Sequence, residues 1–506
     1  MSINHCCASN CQPVALADIP VLAGEAFEQE LAAQLRSGCQ LSTLFGQART
    51  AQTVRLYAVT GETTTATLRV FATDVSDRYP SLTPACPAAH WFEREIAEQW
   101  GVKPEGHPWL KPIRFHPSYC AGRDAWDRKP GEAIAPGVTD YFRVAGQQVH
   151  EVAVGPVHAG IIEPGHFRFQ CLGEQVFHLE IELGYQHRGI ERRLVGGPDK
   201  RTIGSMETLA GDTTIGHSTA YCQAIEALAG RAASLRAQAL RAVALELERL
   251  ANHTGDLGAL AVDIGFLPTS AYCGRLRGDF LNTSAVLCGS RFGRGLVRPG
   301  GVAFDVDQQR SEEVQSRVDA TFRDVAGAVN LLWHSPSVMA RFDGTGTVPR
   351  AVCDELGMVG LAARACGVDR DVRRDFPAGF FRFAQLPVST WHTGDVFARA
   401  YVRWLEVQRS ARFVVEQLRG LPRGDVRRDL GPLQPESLVV SLVEGWRGEI
   451  CHVAITDGDG RFAHYKVVDP SFRNWIGLAM ALRNEPISDF PVCNKSFNLS
   501  YCGHDL

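Results

Sequence analysis

Two short stretches, far apart in the sequence, hold the residue types that could do chemistry. The first is "TLAGDTTIGHS" at 208–218, and the second is "NLSYCGHDL", which closes the chain at 498–506. Their polar residues are Asp212, Thr213, Thr214, His217, Ser500, Cys502, His504 and Asp505. Hydroxyl, imidazole and carboxylate groups donate and accept protons, whereas a soft transition metal requires thiolates. If the two stretches meet in the fold, these residue types favour proton handling or hydrogen bonding over metal binding.

A second group of cysteines lies near the N-terminus, where "HCCASNC" places Cys6, Cys7 and Cys11 after His5. A zinc site usually needs four ligands, and the sequence has no second CxxC-like pair to complete one. We therefore expect a reduced, disordered tail here, with metal binding as the weaker alternative. The chain's 15 cysteines are mostly isolated in apolar surroundings, which indicates a reducing, cytoplasmic environment.

Composition and charge exclude several classes of protein. The chain is 45% hydrophobic and 21% charged, as globular proteins are, and its formal net charge of −4 gives no reason to expect nucleic acid as a partner. No run approaches the roughly 18 apolar residues of a membrane span. The N-terminus lacks the basic and apolar regions of a secretory signal. Any function at a membrane is therefore expected to depend on other subunits.

Hydrophobic periodicity predicts an α+β domain at the start of the chain. "TVRLYAVTG" at 53–61 and "ATLRVFATDV" at 66–75 alternate as strands do. "PAAHWFEREIAEQWGV" at 87–102 has the spacing of a helix that begins near Pro87 and ends at Gly101.

The remainder is predicted to be mainly helical, with small sheets at its edge. Strand patterns lie at 146–160, 166–185 and 448–472. Helix patterns lie at 217–230, 231–260, 309–333, 396–420 and around 474–482. The predicted fold class is α+β, with a small N-terminal α+β domain followed by a helix-bundle domain. The predicted boundaries are a flexible tail at 1–19, the α+β domain at 20–123, a turn-rich linker at 124–145 and the bundle domain at 146–506.

Several motifs resemble those of one protein family. "HWFEREIAEQWGVKPEGHPWLKPIRFHP" resembles the small core subunit of respiratory complex I, which packs on the quinone-site subunit. "VGPVHAG", "EPGHFRF", "YQHRGIERRL", "VRPGGV" and "EGWRGEI" are similar to blocks of the quinone-site subunit itself and of the large subunit of energy-converting [NiFe] hydrogenases. The order of the two parts in one chain resembles formate-hydrogenlyase-type hydrogenases. The resemblance implies a [NiFe]-hydrogenase large-subunit-like fold for the second domain.

The site residues depart from both branches of that family. The hydrogenase pattern implies four nickel-binding cysteines at positions that hold Ala210, Thr213, Ser500 and Gly503 here. The quinone-reducing pattern implies a histidine, which His166 matches, and a tyrosine at the position of Gly211. We therefore predict no metal bound by this chain, and a polar cavity in place of the metal site. Quinone remains a candidate ligand of that cavity.

Three residues are predicted to carry protons in this cavity, namely Glu191, His166 and Asp212. Thr213, Thr214, His217, His187, Ser500, His504 and Asp505 are predicted to line it. Glu191 matches the hydrogenase glutamate that relays protons, and a relay would need burial to raise its pKa towards neutrality. The alternative is an ordinary salt bridge to a neighbouring arginine of "HRGIERR". For Asp212 and Thr213 the alternative is capping of the helix that begins near Ile215.

The resemblance implies a core peripheral-arm subunit of a membrane-associated, complex I-like oxidoreductase complex that couples electron transfer to proton or sodium translocation. The implied partners are a small subunit with an iron–sulfur cluster and antiporter-like integral membrane subunits. The implied place is the cytoplasmic side of the cell membrane, in NADH-quinone oxidoreductase or hydrogenase chemistry. Two alternatives stay open. One is a non-redox scaffold that transmits conformational change, and the other is a hydrogenase or quinone reductase with unusual site residues.

Overall fold

The computed structural model describes residues 4–129, 131–137 and 139–506. Its strands are β1 (Cys6–Ala8), β2 (Val14–Ala15), β3 (Val21–Leu22), β4 (Gln40–Ala48), β5 (Val54–Glu62), β6 (Thr67–Val75), β7 (Arg78–Pro80), β8 (Lys103–Glu105), β9 (Val149–Val154), β10 (His166–Leu172), β11 (Gln175–Glu182), β12 (Val297–Arg298), β13 (Gly301–Val302), β14 (Ser437–Glu444), β15 (Glu449–Thr456) and β16 (Phe462–Val468). Its helices are α1 (Gly24–Arg36), α2 (His90–Trp100), α3 (Ile190–Leu194), α4 (Thr202–Met206), α5 (Thr214–Leu228), α6 (Leu235–Asp263), α7 (Leu267–Cys288), α8 (Gln308–Trp333), α9 (Pro336–Phe342), α10 (Arg350–Glu355), α11 (Gly360–Ala365), α12 (Val372–Asp375), α13 (Val396–Arg419), α14 (Pro470–Ala481), α15 (Phe490–Phe497) and α16 (Tyr501–His504).

The N-terminal part is a mainly antiparallel sheet with two helices packed against it. The strand order is β1-β6-β5-β4, and β3 joins β6 in parallel. The predicted strands are confirmed as β5 and β6, and the predicted helix is confirmed as α2. Gly101 ends α2 in the left-handed conformation, with φ of 63°, because a residue without a Cβ adopts it at little cost.

The N-terminal segment predicted to be flexible is paired into two sheets, so that part of the prediction is wrong. In β1, Cys6 lies opposite Val70 of β6, and β2 joins β14 near the other end of the chain. Backbone hydrogen bonds join these strands to two sheets and so order residues for which the sequence predicted a flexible tail. The described residues of 124–145 form no helix or strand, and the other domain boundaries stay predictions.

The middle of the chain forms the predicted helix bundle. Helix α6 packs against α7 and α13, and α8 packs against the same two helices. The high Ala, Leu, Arg and Glu content of α6 favours a helix. The Ser234 side chain accepts the backbone N–H of Ala237 and so caps the start of α6. The predicted helices are confirmed as α5, α6, α8, α13 and α14. Helix α7 and strand β14 were not predicted.

Small sheets bring distant stretches together. The order β16-β15-β14-β2 forms one antiparallel sheet, and β11-β10-β9 forms another. Apolar residues of β14 and β15 share a buried cluster with residues of β4, β5 and β6, so the N-terminal part packs on the C-terminal sheet. In the described part of the chain, no helix has both the length and the run of apolar residues needed to cross a membrane.

Candidate functional site

The early loop, at 208–213, and the C-terminal tail, at 498–506, lie side by side, and Arg447 joins them. Its guanidinium donates to the Gly211 carbonyl at 2.9 Å and to Thr213 Oγ1 at 3.2 Å. Its Nε donates to the Asn498 carbonyl at 2.6 Å. Burial lowers the pKa of Arg447, and acidic groups, Asp469 foremost, oppose this. A guanidinium therefore occupies the junction between the early loop and the tail.

Helix α5 begins at this junction, and a residue of another helix caps it. Glu248 of α6 accepts the backbone N–H groups of Ile215 at 2.7 Å and Gly216 at 3.2 Å. No side-chain cap comes from Thr213, and Asp212 instead forms an ion pair with Arg277, so the alternative that one of these two residues caps α5 is wrong. Burial raises the pKa of the Glu248 carboxyl to about 8 against these backbone hydrogen bonds.

A chain of four buried side chains starts at the tail. His217 Nε2 lies 3.0 Å from Asp469 Oδ2, and His217 Nδ1 lies 3.0 Å from His452 Nε2. His452 Nδ1 lies 2.9 Å from the Tyr465 hydroxyl. Asp469 reaches the tail itself, because a Cβ at Gly503 would stand 2.6 Å from its Cγ. The position of a fourth metal ligand in the hydrogenase pattern thus packs on a carboxylate.

The hydrogen-bond donors in this chain of side chains can be assigned in order. Burial raises the pKa of Tyr465 well above its ordinary value, so its hydroxyl keeps its proton and donates to His452 Nδ1. Burial lowers the pKa of His452, so its single ring proton is on Nε2 and points to His217 Nδ1. His217 then donates from Nε2 to Asp469. Burial by itself would raise the pKa of Asp469, but the hydrogen bond from His217 and the nearby positive charge outweigh it. The pKa is therefore lowered overall, and Asp469 is a carboxylate near pH 7.

The tail is buried and held by its polar groups. Ser500 Oγ accepts the Gly503 N–H at 2.9 Å, and the Ser500 N–H donates to Ser471 Oγ at 2.8 Å. Asp505 accepts the Gly184 N–H at 2.8 Å and the Gln186 N–H at 2.9 Å. The Asp505 contacts fix the tail against the turn after β11, and the Ser500–Ser471 contact fixes it against the start of α14.

His187 and His504, both predicted cavity residues, contact Asp505. His504 Nδ1 lies 2.8 Å from Asp505 Oδ1, and His187 Nδ1 lies 3.2 Å from the Asp505 carbonyl. Burial lowers the pKa of His187 to about 4 and also lowers that of His504. Both rings are therefore neutral near pH 7. Thr214 is separate from them, since its hydroxyl donates to the Glu207 carbonyl at 3.2 Å.

Cys502 is a protonated thiol that hydrogen-bonds to the Glu163 carboxylate. Burial and this carboxylate raise its pKa to about 12. The adjacent Tyr501 hydroxyl lies 3.1 Å from His158 Nε2. A thiol with so high a pKa is a poor ligand and a poor nucleophile near neutral pH.

Glu191 lies in a buried ionic cluster that we call the Lys466 cluster, made of Glu95, Arg114, Glu191 and Lys466. Lys466 Nζ donates to both Glu95 oxygens at 2.6 Å and to Glu191 Oε1 at 2.9 Å, and Arg114 also pairs with Glu95. Burial raises the pKa of Glu191, but Lys466 and Arg114 outweigh it and lower the pKa to about 2.

The environment of Glu191 corrects two expectations. A pKa of about 2 is far from the near-neutral value that a proton relay requires, so Glu191 is a fixed carboxylate near pH 7. Its ion-pair partner is Lys466 of β16, and not a neighbouring arginine. Arg188, one of those arginines, instead donates to the Thr208 and Leu209 carbonyls at 2.9 Å and holds the early loop.

His166 and Asp212 lie outside the four-residue chain. His166 begins β10 with its ring 5.2 Å from that of Tyr141, and burial lowers its pKa. Its neighbour Gly165 packs on the Tyr501 ring, where a Cβ would stand 2.5 Å from Cε1. Asp212 has φ of 50°, and its carbonyl accepts Trp446 Nε1 at 3.0 Å while its carboxylate turns to Arg277 on α7. The Asp212 backbone thus belongs to the junction, and its carboxylate does not.

Sequence inspection missed Asp469, His452 and Tyr465, although a signal was present. In the β15–β16 pair His452 lies opposite Val467, and Tyr465 is two residues from Val467 on β16. Residues two apart on a strand share a face, so pairing of the strands predicted at 448–472 would have placed both polar rings on one face.

A nickel–iron group does not fit the residues at this junction. Ala210, Thr213, Ser500 and Gly503 offer two hydroxyls and no thiolate. Asp469 packs against Gly503, and the Arg447 guanidinium bridges the early loop and the tail. Soft ligands are what such a centre requires, and none of the four positions supplies one. Within the described ranges, no cluster of three His, Cys, Asp or Glu side chains has a metal-binding arrangement.

Comparisons with known proteins cover both parts of the chain. Residues 27–127 match the family described as respiratory-chain NADH dehydrogenase, 30 Kd subunit. Residues 263–432 match the family described as respiratory-chain NADH dehydrogenase, 49 Kd subunit.

Individual relatives include a hydrogenase, a formate hydrogenlyase subunit and an NADH-quinone oxidoreductase subunit. The chain is 30% identical over 352 residues to the carbon monoxide-induced hydrogenase of Rhodospirillum rubrum, covering 69% of this chain and 97% of the relative. It is 28% identical over 445 residues to formate hydrogenlyase subunit 5 of Escherichia coli (strain K12), covering 86% and 78%. It is 28% identical over 369 residues to NADH-quinone oxidoreductase subunit 4 of Thermus thermophilus, covering 68% and 90%.

Proposed function

The chain belongs to the family of fused hydrogenase and complex I subunits, and from this membership we propose that it is the large core subunit of a membrane-associated, energy-converting oxidoreductase complex. In this subunit a proton-carrying chain of side chains replaces the nickel–iron group. The observation that carries the proposal is the hydrogen-bonded series Asp469–His217–His452–Tyr465, which begins where the hydrogenase pattern has its last ligand.

The series is suited to proton movement by its chemistry. Each imidazole holds one proton and one lone pair, so a proton delivered to one ring nitrogen releases another from the opposite nitrogen. When His217 releases a proton from Nε2 to Asp469 Oδ2, His452 replaces it at His217 Nδ1 and Tyr465 replaces that one at His452 Nδ1. A proton donor at the Tyr465 end must restore the Tyr465 hydroxyl in the same step, because its raised pKa does not allow a tyrosinate to persist. All four side chains are buried, so bulk water does not exchange with the interior of the series.

The neighbouring Lys466 cluster ties this series to the N-terminal part. Lys466 is on the same strand as Tyr465, and Glu95 is on α2. A change in the charge or position of α2 would therefore alter the Glu95–Lys466 ion pair and, through it, the position of β16. We propose that a small subunit with an iron–sulfur cluster binds near this region and that redox change there shifts the protonation of the series.

The remaining parts of the proposal concern assembly. Antiporter-like integral membrane subunits would hold the chain at the cytoplasmic face of the cell membrane and would move protons or sodium ions. The relatives whose names make them subunits of larger enzymes support this assembly. The chain itself would bind no metal. Quinone stays a candidate ligand at the junction beside Arg447.

Purification of the assembly through a tag on this chain tests the proposal. We expect membrane subunits and an iron–sulfur subunit to copurify, with iron but no stoichiometric nickel, and we expect vesicles that contain the complex to take up protons or sodium when a reductant is supplied. Stoichiometric nickel would contradict the replacement of the metal group. An intact complex without redox-driven uptake would contradict the coupling and favour the scaffold alternative.

A further inference from the structure

A cleft lies away from the junction, between the second half of α5, the start of α6 and the turn at 379–382. Its volume is about 400 Å³, within the range of sites that bind small molecules. Cys11, from the turn between β1 and β2, lines its inner end beside Gln223, whose Oε1 lies 3.8 Å from Cys11 Sγ. No residue of the proton-carrying series lines it.

The inner end of the cleft is polar, and one of its groups has no partner. Thr219 is 95% buried, and its Oγ1 has no hydrogen-bond partner among the described residues. Threonine and serine hydroxyls inside helices usually bond the carbonyl four residues earlier, as Ser218 does to Thr214 at 2.6 Å. A buried hydroxyl without a partner is unfavourable, because the hydrogen bonds that it made to water in the unfolded chain are not replaced. Thr219 therefore has hydrogen-bonding capacity that the described residues leave unused.

Gln223 and Cys11 add two more polar groups at this end. Gln223 is one helical turn after Thr219, so both side chains share one face of α5. Its Nε2 lies beside Gly379, where a Cβ would stand 3.0 Å away. Burial raises the pKa of the Cys11 thiol to about 11, so the thiol stays protonated near neutral pH. The inner end is thus neutral and able to donate and accept hydrogen bonds.

The buried charges of the cleft are already paired. Glu226 Oε2 accepts Arg241 at 3.0 Å, and Glu226 Oε1 accepts the Gly300 N–H at 2.8 Å. A charged group at the inner end of a ligand would therefore find no counter-ion there and would keep its desolvation cost.

The walls are apolar and the mouth is basic. Apolar side chains line the cleft, namely Ala227, Ala242, Leu245, Phe380, Phe381 and Phe383. Phe383 is 69% exposed, which is unusual for so large an apolar side chain. Arg231 and Arg382 lie exposed at the mouth. The gradient runs from neutral hydrogen-bonding groups, through an aromatic wall, to positive charge.

From this gradient we propose that the cleft binds a planar aromatic or fused-ring compound that has a carbonyl or hydroxyl group at its inner end and an anionic group at the mouth. The Thr219 hydroxyl and the Gln223 amide bond the carbonyl or hydroxyl. The phenylalanines pack on the ring, and the arginines attract the anion.

A hydroxycoumarin carboxylate tests the proposal, because it has the fused ring, the carbonyl and the anion. Fluorescence anisotropy of the full chain should show saturable binding. Thr219→Val should weaken it about 3- to 10-fold, which is the loss of one hydrogen bond. Thr254→Val is the matched control, since Thr254 Oγ1 is also buried and unpartnered in the described chain but lines no part of this cleft, and its affinity should equal that of the parent chain.

Two further variants decide the outcome if Thr219→Val folds poorly. Ala227→Phe should fill the cleft and abolish binding. Arg382→Ala, at an exposed position, should weaken the carboxylate probe about 2- to 5-fold and leave the same hydroxycoumarin without its carboxylate unchanged. Absence of saturable binding, or equal binding by the parent chain and Ala227→Phe, would overturn the proposal.

Discussion

Replacement of Lys466 by methionine tests how the Lys466 cluster stabilises the fold. Methionine keeps the length of the apolar stem and removes the ammonium, whose three hydrogen bonds go to Glu95 and Glu191. Lys466 is 1% exposed, so no water replaces these bonds. Breaking a buried ion pair by removing one partner costs roughly 3 to 5 kcal/mol.

The pKa of Glu191 gives a second route to the magnitude. In the folded chain this pKa is lowered from 4.5 to about 2, a difference that corresponds to about 3 kcal/mol. Because the folded pKa lies below the unfolded one, this stabilisation is present above the unfolded value of about 4.5 and is lost as pH falls towards about 2. Lys466→Met should remove most of it. The loss should therefore be largest near pH 7 and should shrink below about pH 4.

Urea unfolding followed by tryptophan fluorescence at about pH 7 and about pH 3 measures this difference. Arg78→Met is the control, because the Arg78–Glu105 pair is exposed and should contribute roughly 0 to 1 kcal/mol. A loss below about 1 kcal/mol for Lys466→Met near pH 7, or a loss that does not change with pH, would refute this account of the cluster.

Three more predictions concern the junction. Glu248→Gln should flatten the pH dependence of the free energy of unfolding. Because the pKa of Glu248 is raised to about 8 in the folded chain, its contribution to stability is full below about pH 4.5 and is lost as pH rises through about 8. Urea midpoints across this pH range measure the effect, and a slope equal to that of the parent chain would contradict it. Gly503→Ala should lower the free energy of unfolding by about 1 to 3 kcal/mol, since the new Cβ would stand 2.6 Å from Asp469 Cγ. Gly204→Ala is the control and should lower it by less than about 1 kcal/mol, because the space at its Cβ position is open. Equal shifts of the thermal midpoint for the two variants would be inconsistent with the packing of Gly503 on Asp469. Cys502, with a pKa of about 12, should react slowly with iodoacetamide near neutral pH, and Glu163→Gln should speed the reaction; mass spectrometry of the labelled peptide decides, and equal rates would show that Glu163 does not hold the proton.

Local sequence patterns were enough to predict the elements whose periodicity is strong. The alternation of 53–61 and 66–75 became β5 and β6, and Gly101 ended α2 where a left-handed residue was needed. Strand β14 was missed because all eight of its residues are buried and no alternation marks it, whereas the equally buried β15 is followed by the turn "DGDG" at 457–460, which indicates a hairpin. The pairing of β2 with β14 could not be foreseen, since it joins residues more than 400 positions apart.

The same limit applies to the site. The meeting of the early loop with the tail followed from the family pattern, and the burial of Ser500 and Asp505 agrees with it. The ion-pair partner of Glu191 did not follow, because Lys466 is far away in sequence and only β-sheet register places it beside α3. Side-chain networks such as the His217 series depend on which buried groups face each other across elements, and single-sequence periodicity does not specify this.

Ion uptake by vesicles that contain the His452→Phe complex tests the central claim most directly. Phenylalanine keeps a ring in β15 but breaks the series between Tyr465 and His217. His464→Phe is the matched control, since His464 is buried on the adjacent strand, stacks on Phe45 with ring centroids 5.1 Å apart, and makes no hydrogen bond to the series. The account predicts that His452→Phe lowers the number of ions taken up per electron transferred by about tenfold or more, while His464→Phe leaves this ratio at the parent value. An unchanged ratio in a correctly assembled His452→Phe complex would contradict it.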